Sequence, residues 1–219
     1  MSTEPVLGEP TFLWDDDPPA PSPSPGPAPA RGPTDEERTG VPAEPGLWIF
    51  VLGDMTIFGV FFVVFAHYLG EDRAALKASA SALHQQIGAV NTLVLLASSY
   101  FMVRALHAYR AGSARLRADL GFVLVGGAVF LTAKVAEYAL VLADGHRPGT
   151  ELFFTLYFAV TGVHLLHVLI GMALVARWRA VSLRGRSGRI FAEGVAVYWH
   201  MVDLLWVVIF NLVYLGATT

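Results

Sequence analysis

The sequence contains no cysteine, so it forms no disulfide, offers no thiolate to a metal and holds no cysteine nucleophile. It has no basic excess either. Fifteen Lys and Arg stand against 18 Asp and Glu, a net charge of −3, and no stretch reads as a nucleic-acid-binding domain. Proline is almost missing from the later chain, because 12 of the 13 prolines lie in residues 1–45. Those first residues lack the apolar core of a secretory signal peptide and carry acids instead. No internal repeat marks an inverted-repeat transporter. No His or carboxylate spacing makes a specific metal signature.

Apolar residues, by contrast, are abundant. They make up 54% of the chain, mean hydropathy is +0.52, and they come in runs too long for the helices of a soluble core. The tail before Gly46 stands apart, with an alternating run from Pro18 to Pro33 and acids at Asp15, Asp16, Asp17, Asp35, Glu36 and Glu37. It has too little apolar surface to fold and reads as a disordered, solvated segment of polyproline II character. A docking role for its PSPSPGPAP tract is the alternative.

Five apolar runs follow, each near the 20 or so residues that cross a bilayer. They are Leu47 to Leu69, about Ile87 to Tyr109, about Leu120 to Ala143, Leu152 to Ala176 and about Ala192 to Gly216. The predicted architecture is therefore an all-α bundle of five transmembrane helices over residues 46–219, behind a disordered 1–45 tail. Loop arginines set the expected orientation. Arg110, Arg115, Arg117, Arg177, Arg179, Arg184, Arg186 and Arg189 lie on one side, against Arg73, Lys77 and Arg147 on the other. The arginine-rich side, with the N-terminus, is expected in the cytoplasm and the C-terminus outside. Trp48, Tyr68, Tyr109, Trp178 and Tyr214 fall at span ends and are read as interfacial anchors.

Polar groups inside these spans carry the functional signal, because they are costly in hydrocarbon and should face other helices. In the fourth span Thr161, His164, His167 (or Val168) and Gly171 recur on one helical face. Asp54 lies two turns into the first span and His67 near its outer end. The third span holds Lys134, Glu137 and Tyr138, with Lys134 and Glu137 placed to neutralise each other. The fifth holds Tyr198, Trp199, His200, Asp203, Trp206 and Asn211. By residue count Asp54, His200 and Asp203 sit roughly 10–17 Å from the cytoplasmic end and His164 roughly 18 Å, so they can meet in one bundle. Several chemistries compete for them. His164, His167, His200 and Asp203 can be written as a metal site. His164 with His200, or His107 with another histidine, can be written as haem ligands, although two histidines three apart on one helix cannot both be axial ligands of one haem. A proton relay through Asp54, Glu137 or the histidines is another reading, and interhelical packing is the last.

The ordered motifs over residues 46–216 resolve that competition by resemblance. WIFVLGDMTIFGVFF with the later His67, NTLVLLASS from Asn91, KVAEY from Lys134, DG at Asp144, TGVHLLHVLIG from Thr161 and YWHMVDLLWVVIF from Tyr198 resemble subunit III of the haem–copper cytochrome c oxidases. This chain departs from the family's seven spans by having five, and carries Asp54 where the oxidase subunits usually have Glu. The Gly-Asp after a Glu-Pro-Gly-Leu-Trp entry is similar to the branch of the family associated with nitric oxide reductases. The resemblance implies an accessory, non-catalytic subunit that binds no metal or cofactor of its own. It packs against a catalytic subunit holding haem and copper, with bound phospholipid as a further expectation. It implies support of proton uptake, stability and substrate access during electron transfer to oxygen, in a bacterial cytoplasmic membrane. Asp54 and Glu137, with Lys134, become the proton-uptake or packing candidates. His67, Asn91, Thr161, His164, His167, Tyr198, His200 and Asp203 become buried polar contacts between helices. The alternatives are an accessory or assembly subunit of a nitric oxide reductase, an independent proton or small-solute transporter, and a haem-carrying electron-transfer protein.

Overall fold

The computed structural model describes residues 45–71, 83, 85–149, 151–182 and 188–215. They form five long helices: α1 (Pro45–Glu71), α2 (Gln85–Arg110), α3 (Leu116–Ala143), α4 (Leu152–Ser182) and α5 (Arg189–Phe210). The last runs on through a π-helical turn, Asn211–Leu215. Each of the five is long and apolar enough to cross a membrane, and no β-strand occurs among the described residues. The all-α, five-span architecture expected from the apolar runs is present. The proline-rich tail, read from the sequence as disordered, lies outside the described residues.

Two of the helices stop on glycines in the left-handed region. After α2, Gly112 (φ 61°) lets the Ser113 N–H reach Ala108 O at 2.8 Å while its own N–H bonds Tyr109 O at 3.1 Å. After α3, Gly145 (φ 88°) does the same, with the His146 N–H on Val141 O and its own on Leu142 O. These paired bonds satisfy carbonyls that the helix end leaves open.

The helices overrun the apolar runs that predict them. The start of α3 at Leu116 brings Asp119 into its first turn, where a carboxylate suits the helix dipole and where it pairs with Arg104 at 3.2 Å. The extension of α4 past Ala176 carries Trp178 onto the same stripe as Val168, Gly171 and Val175. Trp178 is consequently buried, edge-on to the Tyr109 ring, rather than an interfacial anchor. Tyr214 also turns inward.

Packing follows a closed ring: α2 lies against α3, α3 against α4, α4 against α5 and α5 against α2. The first helix, α1, lies outside this ring against α5 and α4. Burial separates the two roles, since 56% of the apolar window of α5 is buried against 22% for α1. Lipid supplies no hydrophobic drive between helices, so close packing must hold them. Small residues permit it. A Cβ on Gly126 would stand 2.7 Å from the Ser98 Cβ, and one on Gly171 would stand 3.0 Å from the Trp199 ring.

Candidate functional site in the bundle interior

The seam on α4 is real in three dimensions. Thr161, His164, His167, Val168 and Gly171 are all buried, and the polar members meet partners from three other helices. Two clusters result.

The first is built around Lys134 of α3, which is wholly buried. Its ammonium has three N–H donors and finds three oxygens: Glu137 Oε2 at 3.0 Å, Tyr157 Oη at 2.9 Å and Tyr214 Oη at 2.7 Å. Having accepted from Lys134, the Tyr214 hydroxyl donates to Glu137 Oε1 at 2.6 Å. The rings of Tyr157, Trp206, Tyr214 and Tyr138 surround the cation, with centroids 4.6–5.4 Å from Nζ. Beside this cage the Thr161 hydroxyl donates to the Tyr157 carbonyl, so Tyr138 must be the donor in its 2.7 Å bond to Thr161 Oγ1. Charge and donors are matched, and the cluster ties α3, α4 and α5 together.

The second cluster joins α1 to the ring. His167 Nε2 lies 3.0 Å from Asp54 Oδ1, and its Nδ1 lies 2.8 Å from Val163 O. A carbonyl only accepts, so Nδ1 carries a proton. A hydrogen bond across the Asp54 contact forms when a proton is present on Nε2 or on the carboxyl. Asp54 Oδ2 has no partner among the described residues. The Phe58 ring packs edge-on against His167 and walls the pair.

Between α2 and α5 runs a third set of bonds with antiparallel register. Trp199 Nε1 donates to Ser98 Oγ at 3.1 Å, and Trp206 Nε1 to Thr92 Oγ1 at 3.0 Å. Ser99 Oγ meets His200 Nδ1 at 2.6 Å, with His200 only half buried. The Tyr198 hydroxyl makes a long bond, 3.4 Å, to His167 O. His164 is enclosed by the Phe130 and Trp206 rings, and neither of its nitrogens has a hydrogen-bond partner among the described residues. The same is true of both Asp203 oxygens and of Asn91 Nδ2, all buried.

Of the four groups placed at similar depth by residue count, Asp54 meets His167 and His200 meets Ser99, while His164 is enclosed by rings and Asp203 has no hydrogen-bond partner among the described residues, so they do not converge on one site. Among the described residues no group of three or more His, Asp or Glu converges in metal-binding geometry. Among the candidate site residues, the expected burial of one is overturned. His67 is exposed, because it lies two residues from Phe65 and therefore on the far side of the helix from the buried stripe Val51, Asp54, Phe58 and Phe65. Two important partners went unread, Tyr157 and the inward Tyr214. The signal for Tyr157 was its spacing four residues before Thr161, on the same seam. Also missed was buried Glu193, whose Oε1 takes Arg110 of α2 and Arg189 of α5, each at 3.0 Å.

Five apolar helices that bury two acid–base clusters among them define a polytopic membrane protein whose charges are used between helices. Within that class the lineage is specific. A family model for cytochrome c oxidase subunit III matches residues 38–218. The chain belongs to the cytochrome c oxidase subunit III family and is an integral membrane protein. Cytochrome c oxidase subunit 3 of Synechocystis sp. is 30% identical over 175 residues, which cover 78% of this chain and 74% of that protein. Its counterpart from Thermostichus vulcanus is 31% identical over 178 residues, 78% of this chain and 85% of that protein. Cytochrome bo(3) ubiquinol oxidase subunit 3 of Pseudomonas aeruginosa is 26% identical over 176 residues, 78% and 83% respectively.

Proposed function

We propose that this chain is an accessory, non-catalytic subunit of a haem–copper respiratory complex, packed in the membrane against the subunit that carries haem and copper. The observation that carries this reading is the family match across all five helices. The histidines support it as well. His167 is engaged by Asp54 and Val163 O, His200 by Ser99, and His164 is walled in by aromatic rings. The role is support of the partner's proton uptake, stability and substrate access during electron transfer to oxygen. The expected setting is a bacterial cytoplasmic membrane, with the N-terminus in the cytoplasm and bound phospholipid alongside.

The two carboxylates singled out from the sequence take different parts. Glu137 is locked by Lys134 and Tyr214 and serves packing. Asp54, with one oxygen unpartnered and the other against His167, is the group suited to exchanging protons. The test is a mild-detergent pull-down of the chain from its native membrane, with mass spectrometry and a redox difference spectrum. A co-purifying haem-bearing catalytic subunit is expected, and its identity separates an oxygen-reducing from a nitric-oxide-reducing complex. Recovery of the chain alone while other membrane complexes stay intact, or proton flux in liposomes holding this chain only, would overturn the proposal.

A further inference from the structure

Most outward-facing surfaces of the helices are purely apolar, or carry a hydroxyl that is already used. Thr56 and Thr132 face outward, but each donates to the carbonyl four residues earlier, Leu52 O and Ala128 O. The joint outer face of α2 and α5 differs. His200 has Nδ1 committed to Ser99 and leaves Nε2 without a partner among the described residues. Asn211 is exposed on the same stripe of α5 as Leu204, Val207 and Val208, and no bond within the described chain satisfies its amide. On α2 the Tyr100 side chain is 61% exposed, and its hydroxyl is likewise unpaired among the described residues.

His200 and Tyr100 lie at mid-bilayer depth, whereas Asn211, roughly 33 Å along from Arg189, lies at the far boundary of the membrane. His200 is roughly 17 Å along α5 from Arg189, and Tyr100 is roughly 15 Å along α2 from Arg110, the ends that share one side of the bundle. Hydrocarbon tails offer nothing to an imidazole nitrogen or a phenol hydroxyl, and each unmet group is costly there. A protein surface with matching polar atoms can satisfy them.

We propose that this α2–α5 face, centred on His200, seats a transmembrane helix of the catalytic subunit. The seated helix presents hydroxyl, amide or carboxyl groups at the level of His200 and Tyr100. The inference rests on the accessory-subunit reading and adds the face by which the subunit binds. It is tested by placing a photo-crosslinking benzoylphenylalanine singly at Leu96 or Leu204 on this face, and at Val125 of α3 or Leu166 of α4 as controls. All four side chains are exposed, so the fold tolerates the replacement. After irradiation of native membranes, Leu96 and Leu204 are expected to give adducts with the catalytic subunit several-fold above the control positions. Adducts arising only from Val125 or Leu166, with the catalytic subunit still co-purifying, would overturn the face and leave the accessory reading standing. Adducts from the α2–α5 positions that contain only lipid or a second copy of this chain would overturn it as well. Absence of any co-purifying catalytic subunit would sink both.

Discussion

Lys134 spends all three of its protons inside the bundle, so its loss exposes what the cage is for. Replacing it by Met leaves the Glu137 carboxylate buried with only the Tyr214 hydroxyl as donor, and removal of one member of a buried pair typically costs about 3–5 kcal/mol. Lys134→Met is therefore expected to lower thermal stability in detergent sharply. Lys134→Met with Glu137→Leu should recover most of that loss, because no stranded charge remains. A double variant no more stable than the single one would contradict the pairing. Asp54 predicts a different phenotype. An Asn there can still donate to His167 Nε2, so the helices stay joined, but the exchangeable acid is gone. Asp54→Asn is expected to assemble normally and to slow the complex's proton uptake, whereas Glu137→Gln should reduce assembly instead. Comparing subunit recovery with turnover in proteoliposomes separates the two.

Helix pairing depends on small residues where backbones approach. Gly126→Ala would press its Cβ against the Ser98 side chain at 2.7 Å and separate α2 from α3, at a cost of about 1–3 kcal/mol. Gly121→Ala, with no neighbouring atom within 4 Å, should be neutral or slightly stabilising. Equal melting temperatures for the two variants would refute the close approach. Element existence was legible in the sequence because a 20-residue apolar run has few other uses. Element ends were less so: Leu116 and Ser182 lie beyond the apolar runs, where the helix continues into polar surroundings. The Lys134–Glu137 contact could be read because three residues along one helix fix the geometry. Asp54 with His167 could not, since the partner is chosen by how separate helices pack and many polar groups share that depth. Trp178 and Tyr214 misled for a related reason. Position along a span says where a ring lies in depth, but not which way it faces.

Taken as a whole, the molecule's orientation can be read directly, because the chain has no cysteine and any introduced thiol reports alone. Arg115 and Asp144 are exposed in turns at opposite ends of α3. With the N-terminus inside, Asp144→Cys should react with a membrane-impermeant maleimide on intact cells, and Arg115→Cys only after permeabilisation; the reverse pattern would invert the topology. The peripheral seat of α1 bears on how the protein is made. Its Asp54 joins His167 of α4, and its Phe50 ring stacks on Tyr198 of α5, so its principal contacts are with the fourth and fifth helices of the bundle. Because α1 precedes both of these helices in the chain, its docking surface is complete only once α4 and α5 are in place, and until then its acid waits in the membrane without the imidazole it will meet. An insertion chaperone able to shelter a lone acidic helix is the kind of help such a birth order calls for.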